Sequence, residues 1–598
     1  MKKIISLFLV LTMLCGLLAA CGSSDTDTAE EAESTESSEE VTEETETETT
    51  EETEAETTEE AETAETESEE VGDTAEDDDT AAETEAETEE TVTVSYPISE
   101  ETIELTMWVP QPTLGPLRAW GGDYGVDIYE DYASIQAAAE ITGVTVSFEN
   151  ANDTDGTLFA LHVAAGDWAD MLAMVDNYYT GGVTAAYADE VILDISEYAE
   201  TWAPDYLRIL EEDETLEKSV RTDEGQILHF AQIYNRSVIV QGLVIRTDWL
   251  EDVNMDMPTT VDELTEVLTA FKTELGCTNP FYLNSACKQL ASAYNVVQYT
   301  DLESNDLAIY QIDGTVYSTF IAEDYRSCLE TLNEWYEAGL VDPDFFSVAA
   351  EDNGGHDEEL LMEDDLGVWW ANANSVSNYY NFTSDEDYAI AGLYVTGTDD
   401  PVNHTWSTSR LMTSSTSVGG TAISATCSNP EAAVAWLNFW YTEEGYMLQN
   451  YGVEGDSYEL VDGEVQYTEV ITDSAFDLEP TVALLLYSTA AAPWGYSIQE
   501  RTWPFYTENQ TEIIETWTNA CDGAWEYPIA TLTTDESAVI SAKSADICTY
   551  IAESIPRFIM GEYNLEEDWD TYVENCISMG LEDCIAAYQS ALDRYNER

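Results

Sequence analysis

Residues 242–272 read GLVIRTDWLEDVNMDMPTTVDELTEVLTAFK, and this stretch decides the fold class. The run 242–246 is apolar until Arg246, the composition of a short buried strand. Pro258 then closes a loop, Thr259 and Thr260 offer a hydroxyl as helix N-cap, and Glu263 completes a capping box with Thr260. Behind that cap Val261, Leu264, Val267, Leu268 and Phe271 recur at helical spacing, so one face of the helix is apolar and must pack on something. A buried strand feeding an amphipathic helix is an α/β unit.

The same alternation runs through the chain before it. Residues 103–109 (IELTMWV) alternate as a strand, 132–142 as a helix, 144–148 as a strand, 157–165 as an apolar helix closing at Gly166, and 169–175 as a strand. That order implies a parallel, helix-covered sheet. Ligands of open α/β sheets lie at the carboxyl ends of strands, which singles out Asp176, Asn177, Tyr178 and Tyr179 just past Val175. A carboxylate and an amide beside two rings suit a sugar, whose hydroxyls need polar partners and whose C–H faces stack on rings. A surface turn with tyrosines covering core accounts for the same residues, and both readings stay open.

The chain has 598 residues, with 17 Lys plus Arg against 124 Asp plus Glu and a formal charge of -107. This length implies more than one domain, and 44% hydrophobic residues with 16 Trp and 35 Tyr suffice for real cores. With so few cations to neutralise phosphates, nucleic acid and anionic membrane surfaces are disfavoured as partners.

Lys2, Lys3, an apolar run over 4–18 and the sequence Leu18, Ala19, Ala20, Cys21 describe a secretory signal with a lipobox-like end. Cys21 is then the expected site of lipidation, leaving the protein outside the cell membrane on a lipid anchor. From 22 to about 90 the chain is almost wholly Glu, Thr, Ser, Ala and Asp, with no Lys, Arg or aromatic residue. Like charges repel and nothing apolar is there to bury, so a disordered spacer is expected, spanning on the order of 50 Å as a coil.

The segment 246–272 resembles the extracellular solute-binding proteins of ABC importers, the family of the maltose-binding protein and many lipoprotein sugar receptors. Arg246, Asp248, Trp249, Leu250, Pro258, Thr260, Asp262, Glu263, Leu264, Phe271 and Lys272 carry the likeness. Residues 158–174 (LFALHVAAGDWADMLAM) are similar to a first-lobe passage of that family, with Trp168 and Ala169 where proline is usual. Residues 429–445 (NPEAAVAWLNFWYTEEG) resemble its helix capped by Asn429 and Pro430, and 555–594 its terminal helices. The likeness covers 103–598 and implies two α/β lobes joined by a hinge. It divides the chain into a signal peptide (1–20), the lipidated Cys21 with its linker (21–94), a first lobe (95–232 and 410–455) and a second (233–409 and 456–598).

The same resemblance makes 226–234 (QILHFAQIY) the strand that crosses between lobes, with Tyr234 at its end a cleft residue. It places Trp369 and Trp370, closing the run 360–370, where family members line the cleft. Strand alternation then predicts one tryptophan in the core and one facing ligand, although paired tryptophans also fit a core cluster. Trp494, in the aromatic loop 493–496, is a further candidate.

Eight cysteines follow Cys21, with no C-x-x-C spacing, so a zinc site is disfavoured; Cys277 with Cys287, or Cys576 with Cys584, could bridge outside the cell, and buried cysteines acting as small hydrophobes account for them equally. Residues 152–156 (NDTDG) hint at a calcium loop, but in EF-hand register Ala151 takes the first ligand position and His162 that of the closing Glu. No cofactor is expected, and structural calcium is left open. His162, His229, His356 and His404 form no HExxH, no serine sits in a G-x-S-x-G elbow, and no Walker A motif is present. The reading is a lipid-anchored, monomeric receptor that captures a neutral oligosaccharide and docks on a membrane permease powered by a separate ATPase. A peptide or other small-solute receptor, and a secreted glycan-acting enzyme, are the alternatives.

Overall fold

The computed structural model describes residues 92–598, except 111–127, 152–156, 167, 236–237, 298–305, 349–357, 384, 386, 406–412, 415–416 and 475–477. The lipidation site Cys21, the linker and the calcium-like loop 152–156 lie outside the described residues. The strands that organise the molecule are, in chain order, β1 (Ile103–Pro110), β2 (Val144–Ala151), β3 (Met171–Ala173), β4 (Phe230–Ala231), β5 (Ile233–Asn235), β6 (Gln241–Arg246), β7 (Asn279–Phe281), β8 (Leu366–Asn372), β9 (Ile390–Leu393), β10 (Gly420–Ile423) and β11 (Tyr496–Ile498).

The first sheet has the order β2-β1-β3-β10-β4. As the alternation over 103–175 implies, β1 pairs in parallel with β2 and β3. The sheet is nonetheless mixed, because β10 returns from a distant part of the chain and runs antiparallel to both β3 and β4. The second sheet has the order β9-β6-β8-β7, with β6 antiparallel to its two neighbours and β8 parallel to β7. Between the sheets, β5 pairs in parallel with β11, so two chain crossings lie side by side. This is the two-lobed, mixed α/β architecture with a hinge.

The stretch 242–272 folds as its residues dictate. β6 is followed by the helix Val261–Ala270, where the Thr260 hydroxyl accepts the Glu263 N–H at 3.2 Å and the Glu263 carboxylate accepts the Thr260 N–H at 3.3 Å. Val261, Leu264, Val267 and Leu268 are buried in the second core. Arg246 is buried too: its Nε donates to Asp248 Oδ1 at 2.9 Å, it pairs with Asp364, and its guanidinium lies between the rings of Trp249 (4.4 Å) and Tyr388 (4.5 Å). Every face of this cation is therefore occupied by a carboxylate or a π-cloud. Asn429 caps the helix Pro430–Phe439 by accepting the Ala432 N–H, as its sequence signals require.

Core membership shows where each part of the chain belongs. Leu105, Val146, Ile233, Trp436, Trp440 and Leu486 share the first core; Phe271, Trp335, Trp369, Trp517, Ile551 and Trp569 share the second. The segment from 456 onward, expected in the second lobe, is split: Leu486, Ala492 and Trp494 enter the first core, and second-core residues resume at Ile513. The indoles of Trp436, Trp440 and Trp494 pack against one another, and that aromatic burial holds the loop to the first lobe. All eight described cysteines are free thiols and six of them are buried, as small hydrophobes are, so neither candidate bridge is formed. Among the described residues no helix is long and apolar enough to cross a membrane.

Candidate functional site

Beyond the carboxyl end of β3 the backbone turns sharply. Met174 takes a left-handed conformation (φ 56°), its N–H donates to Gly420 O at 2.6 Å, and the short helix Val175–Tyr178 begins. Asp176 on that helix accepts the Val183 N–H at 2.8 Å. Glycine at 182 makes this possible: its φ is +68°, and a Cβ there would lie 2.8 Å from Asp176 Oδ1. Opposite stands His229, the residue before β4. Gly420 leaves room for it, since a Cβ on β10 at this point would fall 2.8 Å from the imidazole Cδ2 and 2.2 Å from Phe230 O.

These residues open onto a cavity of about 680 Å³ between the lobes. From the first lobe it is lined by Asp176, Asn177, Tyr179, Ser219, Thr222 and His229; from the other side by Thr531, Ser537, Ser541, Ser544 and Tyr588. Serine and threonine hydroxyls predominate, and no Lys or Arg is among the described lining residues. Burial raises the pKa of Asp176, with His229 and the Val183 N–H working against it; burial likewise lowers that of His229, opposed by Asp176. Tyr179 donates its hydroxyl to Asp189 at 2.7 Å, and burial together with that carboxylate pushes its pKa up to about 12. Another hollow, of about 720 Å³, is lined by Tyr96, Asp205, Glu443 and Leu460 and touches only the first lobe.

At the rim of the cleft the lobes are joined by ion pairs. Arg594, on the terminal helix Leu581–Glu597, reaches Asp223 of the first lobe at 2.6 Å and Glu536 at 2.6 Å, and Arg598 Nη2 lies 3.3 Å from Asp223. The Thr531 hydroxyl and the Arg598 guanidinium also donate to the Arg221 carbonyl. Burial works to raise the Glu536 carboxyl, but hydrogen bonds from Arg594, Thr533 and Ser590 outweigh it and hold its pKa at about 2.

Of the residues singled out on sequence, Asp176, Asn177 and Tyr179 line the cleft together. The others stand elsewhere. Tyr178 packs its ring on Trp108 (5.6 Å) and Phe159 (6.2 Å) in the first lobe. Tyr234 lies on β5 at the crossing and donates its hydroxyl to Gln499. Trp369 and Trp370 are 0% and 7% exposed in the second core, so the expected division into one core and one ligand-facing ring is not what β8 shows. Both faces of this central strand are covered, and alternation carries no in-and-out contrast there. Trp494 is 0% exposed, its ring 5.8 Å from Phe148 and 5.4 Å from Tyr129. His229 and the hydroxyl side chains were not singled out; a lone histidine within the otherwise apolar run 227–231 was the available signal for the former.

The model of the bacterial extracellular solute-binding proteins matches residues 127–447, more than half the chain. The chain belongs to that family. Among individual proteins it is similar to the lipoprotein LipO of Bacillus subtilis, 23% identical over 478 residues, which cover 77% of this chain and 89% of LipO. It is also similar to FusA, the fructooligosaccharide ABC transporter substrate-binding protein of Streptococcus pneumoniae, 22% identical over 491 residues, 77% of this chain and 86% of FusA. The structure of the alginate-binding protein AlgQ2 without calcium ion superposes with a TM-score of 0.61 at 18% identity, covering 83% of this chain and all (100%) of that one. Its likeness extends to the two-lobed fold.

Among the described residues of this solute-binding protein, no group of three or more His, Cys, Asp or Glu side chains is placed to hold a metal ion.

Proposed function

We propose that this solute-binding protein captures a neutral oligosaccharide in the cleft between its lobes and delivers it to the permease of an ABC importer. The observation that carries the reading is the polar lining of the cleft: hydroxyls, an amide, an imidazole, two tyrosines and one carboxylate, with no Lys or Arg among its described residues. Sugar hydroxyls exchange hydrogen bonds with such groups, and Tyr179, fixed by Asp189, offers a ring for a sugar's C–H face. A uronide or a peptide carboxyl terminus would meet Asp176 with no arginine opposite it. FusA, a fructooligosaccharide-binding relative, supports a sugar, whereas alginate binding by AlgQ2 is the acidic counterpart that this lining disfavours.

Capture needs neither a cofactor nor bond-breaking chemistry. A ligand that touches both lobes at once binds the closed form best and shifts the population toward it. We assign the anchor to Cys21, which places the monomeric receptor on the outer face of the cell membrane. The test is thermal unfolding of the mature chain carrying Cys21→Ala with neutral oligosaccharides, oligogalacturonides and short peptides. A true ligand at about a hundred times its Kd adds about 2.7 kcal/mol of stability. A rise in Tm with a neutral glycan alone is the expected result; a rise only with a uronide or a peptide overturns the reading.

A further inference from the structure

His229 is 4% exposed, and neither Nδ1 nor Nε2 has a hydrogen-bond partner among the described residues. Buried polar groups in native proteins are nearly always paired, so a bare imidazole calls for an explanation. This ring is not lost in a core. It lines the interlobe cavity with Asp176 beside it, and β10 carries glycine at 420 where any side chain would strike it. Burial favours its neutral form, in which one nitrogen donates and the other accepts. A hydroxyl group both accepts and donates, which matches that demand. Asp176 already accepts one N–H, from Val183, on Oδ1, and the field of its carboxyl disfavours an anion in the same place.

We infer that His229 and Asp176 together grip two neighbouring hydroxyls of one sugar ring at the floor of the cleft, with His229 the specificity-determining contact. This rests on the proposed capture of a neutral sugar. Ordering of the two residues comes from the first lobe alone, through the Val183 N–H and the glycines at 182 and 420. The two side chains are therefore held in place without help from the second lobe. A sugar unit whose hydroxyls at that position are missing or substituted leaves the imidazole bare and is rejected.

The test uses kestose, maltotriose, xylotriose and mannotriose as probes, titrated by calorimetry into the wild-type mature chain, His229→Phe and His229→Gln. The chain holds four histidines, so ring resonances of a histidine-labelled sample can be assigned by substitution. We expect a probe that binds the wild type to bind His229→Phe about ten- to a hundredfold more weakly. His229→Gln, which keeps a donor and an acceptor, should recover most of the loss. Saturation should move the ring resonances of His229 and leave those of His404 in place. Equal affinity for His229→Phe, or an unmoved His229 ring at saturation, overturns the inference while leaving sugar capture standing. Should His229→Phe fail to fold, the ring resonances of the wild type decide alone. Binding of none of the four probes by the wild type overturns the sugar reading, and this inference with it.

Discussion

The two lobe cores and the seam between the lobes use opposite chemistry. Trp335, Trp369, Trp517 and Trp569 are sealed in one core and Trp436, Trp440 and Trp494 in the other. The seam sets serine and threonine hydroxyls, a tyrosine held by a carboxylate, and arginine ion pairs among small and aliphatic side chains such as Val183, Val220 and Leu532, with no tryptophan among its described lining residues. Large rings sealed in a core make a rigid body, because any opening exposes apolar area. A polar seam opens at little cost, because water replaces each hydrogen bond it loses. Rigid lobes on a polar seam are what a receptor that opens and closes requires.

The largest test of this contrast is truncation of a core ring. Trp494→Ala and Trp369→Ala should each lower unfolding stability by about 3–5 kcal/mol in denaturant titrations, while the folded fraction keeps its sugar affinity. Loss of affinity at unchanged stability would move these rings out of the core account. Arg246→Ala comes next. It leaves the mostly buried Asp248 carboxylate without its cation, removes the guanidinium from between the Trp249 and Tyr388 rings, and should cost about 3 kcal/mol, again without touching the cleft.

How much of this was legible in the sequence differs between the same two regions. The strand and helix of 242–272 were readable because Thr260, Glu263 and the Val261, Leu264, Val267, Leu268 spacing are local signals, each pointing to one element. The cores were readable as classes of residue but not as addresses. Trp494 looks like a loop aromatic until distant Trp436 and Phe148 are placed around it. The seam was the least legible part, since its members come from 176–184, 219–229, 529–545 and Tyr588, and its hydroxyls carry no periodic signal. Asp176, Asn177 and Tyr179 were found because they follow a strand's carboxyl end, a rule of topology.

A smaller effect is expected at the rim. Arg594→Ala should change stability by no more than about 1 kcal/mol, since the pairs are partly exposed, yet weaken sugar affinity several-fold by favouring the open form. Small-angle scattering without sugar should show a larger radius of gyration for this variant. Acid should act within the second lobe, on the pair between Glu536 and Arg594. The Glu536 carboxyl titrates near 2 when folded against an ordinary 4.5, so its contribution is complete above about pH 4.5 and fades as pH falls toward 2.

The smallest effect concerns His404, held between Asp522 (2.9 Å) and Asp400 (3.0 Å) in the second lobe, with its ring on Trp525. Burial pushes its pKa down, but the two carboxylates prevail and raise it above 6.5. Its stabilisation is thus complete below pH 6.5 and is lost as pH rises through the higher folded value. The Tm difference between wild type and His404→Asn should shrink over that interval, with sugar affinity unchanged throughout.

The most direct measurement of the central claim is sugar affinity and Tm, side by side, for Tyr179→Ala and Trp370→Ala. With capture in the cleft of hydroxyls beyond β3, Tyr179→Ala should lose affinity about tenfold at nearly constant Tm, and Trp370→Ala should lose Tm at nearly constant affinity. The reverse pattern, affinity lost at Trp370 and kept at Tyr179, would place the sugar against the second-lobe sheet and contradict the account.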